Sequence, residues 1–379
     1  MKKSLLAMVV LATTANAATT ADLERKLNVL ATEVQNLKEN KTETGVTLGG
    51  YGEIIYTDTS SENESNKASG VKPSNKWDTL RNVLYVGYKF SPKWSFKTEI
   101  EIEHANEIYT EFAEIRYSHS DAFNAKAGLL LAPIGFVNTE HEPTRFFGVN
   151  RPEIESKIIP TTWRENGLGL HGKLNQLSYN VFLLNSLKGD SFDASGVRSG
   201  RQKGSNAAAG NWAYLARLDY NFNFGLDLGA TAYISKTNGT TASGLKHNIY
   251  ELHAEYNYQG LKARVLYVKS DLDGKKISEV VSKDVADEMA GYYVELGYDI
   301  FHGKDCYLAP YVRYETFNTQ EKLDASLGDK DKSKDVTNLT YGLMYKPVEK
   351  IAFKVDYQKV TNEAKTGVDK VNFGIGWEY

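Results

Sequence analysis

Apolar and polar residues alternate in twos along most of this chain. In "TLRNVLYVGYKF" the apolar set is Leu80, Leu84, Val86, Tyr88 and Phe90. In "WSFKTEIEIEH" it is Trp94, Phe96, Ile100 and Ile102, with Lys97, Glu99, Glu101 and Glu103 on the other face. "WAYLARLDYNF" sets Trp212, Tyr214, Ala216, Leu218 and Tyr220 against Arg217 and Asp219. "EMAGYYVELGYDI" and "IAFKVDYQKV" repeat the pattern, as does "VNFGIGWEY" at 371–379. Period two is the signature of a strand with one greasy face. Each run holds about ten residues, enough for a tilted strand to cross a bilayer.

The connections alternate as well. Tight ones fall at 91–93, 175–176, 259–260 and 347–350, and longer polar ones at 58–76, 132–162, 187–211, 270–287 and 318–336. Counting through predicts about 16 strands, near the size of the wider bacterial barrels. Strands in lipid must pair every backbone group, so the sheet has to close. The prediction is an all-β fold, a transmembrane antiparallel β-barrel over 44–379. "VNFGIGWEY" is then the last strand, pairing with the first, "GVTLGGYGEIIY", to remove both edges. A soluble sandwich would need shorter strands and polar outer faces.

Composition fits this reading. Tyrosine (24) and glycine (31) are abundant and proline (8) is scarce. The mean hydropathy is -0.45, as expected if only alternate residues meet lipid. A net charge of -3 gives no reason to expect a nucleic-acid partner.

The start of the chain reads differently. Met1-Lys2-Lys3, the apolar run Leu5 to Leu11 and the small-x-small Ala15-Asn16-Ala17 predict a cleaved export signal over 1–17. Next, Leu23, Leu27, Leu30, Val34 and Leu37 step by four and three, which predicts a short coiled-coil helix within 18–43. Its seam is read as an oligomerising handle, against an amphipathic helix packed on its own domain, and does not itself decide between two chains and three.

The longest connection contains "EHEPTRFFGVNRPEIESKIIPTTWRENGLGLHG". Together with the export signal, the coiled coil, "GGYGEIIY" and the aromatic terminus, it makes the chain resemble Gram-negative outer-membrane porins, and among them the phosphate-selective porin O/P-like group. The resemblance implies a cell outer-membrane location and a channel for passive diffusion of ions and small hydrophilic solutes. It implies that 132–162 folds into the lumen as the constriction, which would put Glu140, His141, Glu142, Arg145, Arg151, Glu153 or Glu155 at the eyelet. Spacing does not select which of these project inward. The implied partners are other copies of the chain (a homotrimer), membrane lipids and lipopolysaccharide, and the barrel assembly machinery.

By parity, Arg81, Lys97, Arg116, Lys126, Arg217, Arg264, Arg313 and Lys354 point into the lumen. So do Glu99, Glu101, Glu103, Glu114, Asp219, Glu255, Glu295 and Glu315, and the two signs are expected largely to cancel. The arginines are spread over several strands and the long segment carries no lysine cluster, which departs from the pattern of the phosphate-selective group. "DLDGKK" at 271–276 is read as a turn, and the glycines of "RENGLGLHG" as strand glycines. No catalytic set, metal site or cofactor is expected, and the lone Cys306 has no intrachain partner. The competing expectations are a structural or adhesive protein that tethers the membrane through its coiled coil, or an outer-membrane barrel enzyme.

Overall fold

The computed structural model describes residues 45–71 and 75–379. The expected export signal and coiled-coil helix lie outside these residues. The first strands are β1 (Gly45–Thr59), β2 (Asn75–Lys89), β3 (Trp94–Glu103), β4 (Glu107–Ser120) and β5 (Phe123–Leu131). Then follow β6 (Arg164–Leu174), β7 (Leu177–Asn185), β8 (Trp212–Phe222), β9 (Leu226–Lys236), β10 (Lys246–Tyr258) and β11 (Leu261–Leu272). The last are β12 (Glu288–Tyr298), β13 (Tyr307–Lys322), β14 (Asp335–Val348), β15 (Ile351–Asn362) and β16 (Lys370–Glu378).

These strands form one closed barrel in sequence order. Closure is antiparallel between β1 and β16, with Ile54 opposite Ile375 and Tyr56 opposite Phe373. Among the described residues no strand is left with an unpaired edge, the condition for crossing hydrocarbon. One rim carries short turns. The other carries most of the long connections, including 132–163, 186–211 and 273–287.

Alternation sets the two faces. On β8, Trp212, Tyr214, Leu218 and Tyr220 are exposed, whereas Ala213 and Leu215 are buried. Exposed apolar residues recur around the ring, with Tyr214 66 % and Leu252 58 % open. A soluble sandwich would hide these side chains, so this belt marks a lipid-facing surface.

Parity breaks midway along β4. The β3–β4 register shifts between Glu99 and Ile100, and both Glu111 and Phe112 are buried. A bulge at this point turns two successive side chains inward.

Two helical turns interrupt the loops: α1 (Ile154–Lys157) and α2 (Gly274–Val281). The stretch read as a turn at 271–276 thus leads into a helix. With Gly274, Ile277 and Ser278 buried in two turns, α2 is too short to show a helical period in the sequence.

The barrel interior is not uniformly polar. Leu184, Leu215, Tyr233, Ile249, Leu266 and Val268 of the β7–β11 wall are buried in one cluster with loop residues. The 132–163 connection contributes Ile134, Ile154, Ile158, Ile159 and Trp163, and 186–211 contributes Leu187, Phe192 and Val197. Loops folded inward fill this side of the lumen as a core fills a soluble domain.

Candidate functional site

The 132–163 connection touches strands on opposite sides of the ring, so it runs inside it. The Tyr85 hydroxyl on β2 donates to Glu142 at 3.0 Å. Across the barrel, the backbone N–H groups of Glu153 and Ile154 donate to the β13 residue Glu315, each at 3.1 Å. The Val149 N–H donates to Asp356 on β15 at 2.7 Å, and Lys354 Nζ donates to the Gly148 carbonyl at 2.8 Å. From β8, Arg217 donates to the Gly135 carbonyl at 2.6 Å.

Two close approaches require glycine. A Cβ on Gly297 would meet the Phe147 ring at 2.3 Å. Gly135 has φ +68, and a Cβ there would lie 2.4 Å from a Glu155 carboxylate oxygen. That tightness lets Glu155 accept the N–H groups of Phe136 and Val137, both at 2.9 Å, and the Tyr293 hydroxyl at 2.8 Å. Burial raises the Glu155 pKa above the usual carboxyl range, against the lowering effect of these donors.

The residues expected at the eyelet spread out along this path. Glu140 is exposed. Arg145 is exposed and 3.6 Å from Glu378 on β16. Glu153 lies 3.7 Å from Lys370. His141 and Arg151 come together: Arg151 donates to the His141 carbonyl at 3.0 Å.

His141 is 2 % exposed. Its Nε2 is 3.2 Å from Glu99 on β3, which also accepts the Tyr51 hydroxyl at 3.1 Å. Burial works against a charged imidazole here, but Glu99 outweighs it, and the His141 pKa is raised. Arg81 joins this layer, 2.7 Å from Glu53 and 3.8 Å from Glu101.

A polar chamber adjoins this layer on each side. Toward the long-loop rim it is about 570 Å³, with Arg81, Arg151 and Arg198 in its wall beside Thr57, Glu103 and Lys370. Toward the short-turn rim it is about 140 Å³, lined by Lys97, Glu99, Glu114, Arg116, Lys126 and His141.

Most lumen arginines expected from parity have a carboxylate partner. Arg116 pairs with Glu114 and Arg264 with Glu255. Arg217 lies 2.8 Å from Asp219 and Arg313 3.3 Å from Glu295. A buried pair satisfies its members but adds little net field.

Several residues here were not singled out by the sequence. Tyr51 and Glu53 lie inward on the first strand. Glu111, turned in by the bulge, is 2.6 Å from Arg164. Arg198 and Arg201 come from the 186–211 loop, where no strand parity exists to place them; the only signal is the basic run "VRSGRQKG".

No family model matches this sequence. The chain is 32 % identical over 367 residues to an uncharacterized protein of Aquifex aeolicus (strain VF5), covering 90 % of this chain and 82 % of that protein. It belongs to the family of that protein. Among solved structures, the outer-membrane channel DcaP of Acinetobacter baumannii is similar with TM-score 0.60 at 13 % identity, covering 90 % of this chain and 99 % of that one. An anion-selective porin from Comamonas acidovorans gives TM-score 0.58 at 12 % identity, covering 89 % and 100 %. At such identities the likeness is one of fold: a 16-strand outer-membrane porin barrel.

Proposed function

We propose that this chain is an outer-membrane porin, a passive channel for ions and small hydrophilic solutes, with residues 132–162 as its constriction. The observation that carries the reading is a barrel with an apolar outer belt and polar chambers on both sides of one internal, charged layer. A barrel of this strand number is wide enough for water to pass where loops do not fill it. His141, Arg151, Arg81 and Glu99 form the narrow layer in this reading, with Glu142 and Glu153 beside it. Glu155 and Arg217 hold the segment in place. The chain works as a homo-oligomer, a trimer by its resemblance to porins, seated among outer-membrane lipids with its short turns toward the periplasm.

Purified, folded protein in planar bilayers should open discrete conductance steps in KCl. Folded protein that inserts and never opens such steps overturns the proposal. Cross-linking followed by mass measurement tests the trimer.

A further inference from the structure

Three histidines are buried among the described residues, and one differs from the other two. His141 has Glu99 at 3.2 Å, and His253 has Asp219 and Glu251 at 2.9 and 2.7 Å. His247, at the long-loop end of β10, is 0 % exposed, and neither of its ring nitrogens has a hydrogen-bond partner. Its ring meets Phe192 of the 186–211 loop and Tyr233 of β9 edge to face, with centroids 5.2 and 5.5 Å away.

The surroundings of His247 carry no counter-ion for it. Ser235 on β9 and Leu272 on β11 stand opposite it in the sheet. Lys236, Lys246 and Asp271, one step along on these strands, lie on the other face by parity. Asp273 accepts the Lys246 N–H at 2.9 Å and is 3.5 Å from Lys276. A proton on the His247 ring would thus create a charge with neither water nor a partner, which is costly.

The same loop is tied down just before Phe192. The Asp190 carboxylate accepts the N–H groups of Thr240, Thr241 and Ala242 at 2.6, 3.0 and 2.7 Å, and the Thr241 hydroxyl at 2.8 Å. Helix α2 packs against this turn, but its Lys275 and Lys276 pair with Asp324 and Asp273, and its Glu279 is exposed. The loop's own Lys188 and Asp193 make no ion pair among the described residues. Burial alone would raise the Asp190 pKa, but the N–H groups of Ala242, Thr240 and Thr241 and the Thr241 hydroxyl outweigh it and hold it well below the usual carboxyl range.

We propose that His247 and Asp190 form an acid-released latch that holds residues 187–200 in the lumen, so that acidification widens the channel. Leu187, Phe192 and Val197 sit in one cluster with Leu215 and Ile249 of the wall, and their departure opens the filled side. Once they leave, His247 meets water and takes up a proton below the ordinary histidine value of about 6.5. Each pH unit below that value favours the released state by up to about tenfold. The hold of Asp190 is complete above the ordinary carboxyl value and is lost as pH falls toward its lowered one. His141, whose pKa is raised, stays protonated over this window and adds no change of its own. As a gate, the latch rests on the porin reading.

The test uses folded full-length protein in detergent and, separately, in planar bilayers. Hydrogen exchange of 187–200 is followed by mass spectrometry, with the intrinsic rate divided out. Protection in the wild type should fall about tenfold or more between about pH 6.5 and about pH 4.5, while β13 stays protected. His247→Phe, which keeps an aromatic ring without a titrating nitrogen, should abolish most of that fall. Asp190→Asn should lower protection already at the higher pH and keep the slope. It carries the test if His247→Phe lacks the wild-type unfolding transition. Protection of 187–200 that does not fall with pH, or that falls equally in His247→Phe, overturns the latch, as does Asp190→Asn protection equal to the wild type. In bilayers, the same acidification should enlarge the wild-type conductance steps and leave those of His247→Phe unchanged. If protection falls as expected and no conductance is ever seen, the porin reading fails while the latch stands. If conductance is seen and protection does not respond to pH, the latch fails while the porin reading stands.

Discussion

Two sides of the long-loop end of the lumen are built on different principles. Under β7–β11, wall residues such as Leu215, Leu266 and Val268 pack with Ile154, Ile158 and Trp163 of one loop and Phe192 and Val197 of another. Between β1, β2 and β15, polar side chains face each other across the open chamber of about 570 Å³, with Arg81, Thr57 and Gln358 in its wall. The first side excludes water and gains stability by burying apolar area. The second leaves room for water and is held by ion pairs and hydrogen bonds, whose net stabilisation is modest. In the porin reading proposed above, the path for solutes is the part of the lumen that the loops do not fill.

The largest expected effect lies on the filled side. Trp163 is fully buried in that cluster, and Trp163→Ala should cost about 3–5 kcal/mol in urea unfolding of the folded barrel. Lys97, which pairs with Tyr85 and Phe112 rings at 5.1 and 5.6 Å, should cost about 1 kcal/mol or less when changed to Ala. Equal losses at the two positions would break the contrast.

Next in size is Glu155, the tie between the inner segment and Tyr293. Glu155→Ala strands two N–H groups and a hydroxyl, a loss of about 1–3 kcal/mol, and conductance should rise as the segment loosens. The native carboxyl pKa is raised by burial, so the folded state holds its proton to higher pH than the unfolded chain. Stability from this group is therefore greatest below the ordinary carboxyl value and falls as pH rises through the raised one. Glu155→Gln should flatten that slope in pH-dependent unfolding.

His141 tests the polar side with the same type of experiment. Its pKa is raised, Glu99 prevailing over burial. Its contribution is present in full below the ordinary histidine value and is lost as pH rises through the native one. Conductance should therefore increase with pH over that window, and His141→Asn should remove the dependence. The smallest effect is electrostatic. Glu103→Gln leaves the paired charges intact and should shift the reversal potential in a KCl gradient modestly toward chloride.

The outer face was legible because lipid favours apolar side chains at alternate positions along a regular strand. Tyr214 and Leu218, or Phe373 and Ile375, declare themselves by period two, and parity then places Arg81, Arg217 and Arg313 inside. Where parity fails, so does the reading. The bulge on β4 turns Glu111 inward beside Phe112, and nothing in "YTEFAEIRY" announces it. The filled side was hidden for a related reason. In "ARVLYVKS", Val265 and Tyr267 face lipid while Leu266 and Val268 face the inner core. A strand apolar on both faces reads as a continuous run. Arg198 and Arg201 sit on a loop whose course depends on packing against residues far away in sequence, and no local pattern encodes that.

The most direct test puts one thiol on each side of the lumen. With Cys306→Ser as background, Lys97→Cys places a thiol in the small polar chamber and Val268→Cys places one in the filled cluster. Single-channel current is then followed while a negatively charged methanethiosulfonate reagent is added. The account predicts that Lys97→Cys channels lose current on modification and Val268→Cys channels do not. Current lost at Val268→Cys with none lost at Lys97→Cys would contradict it.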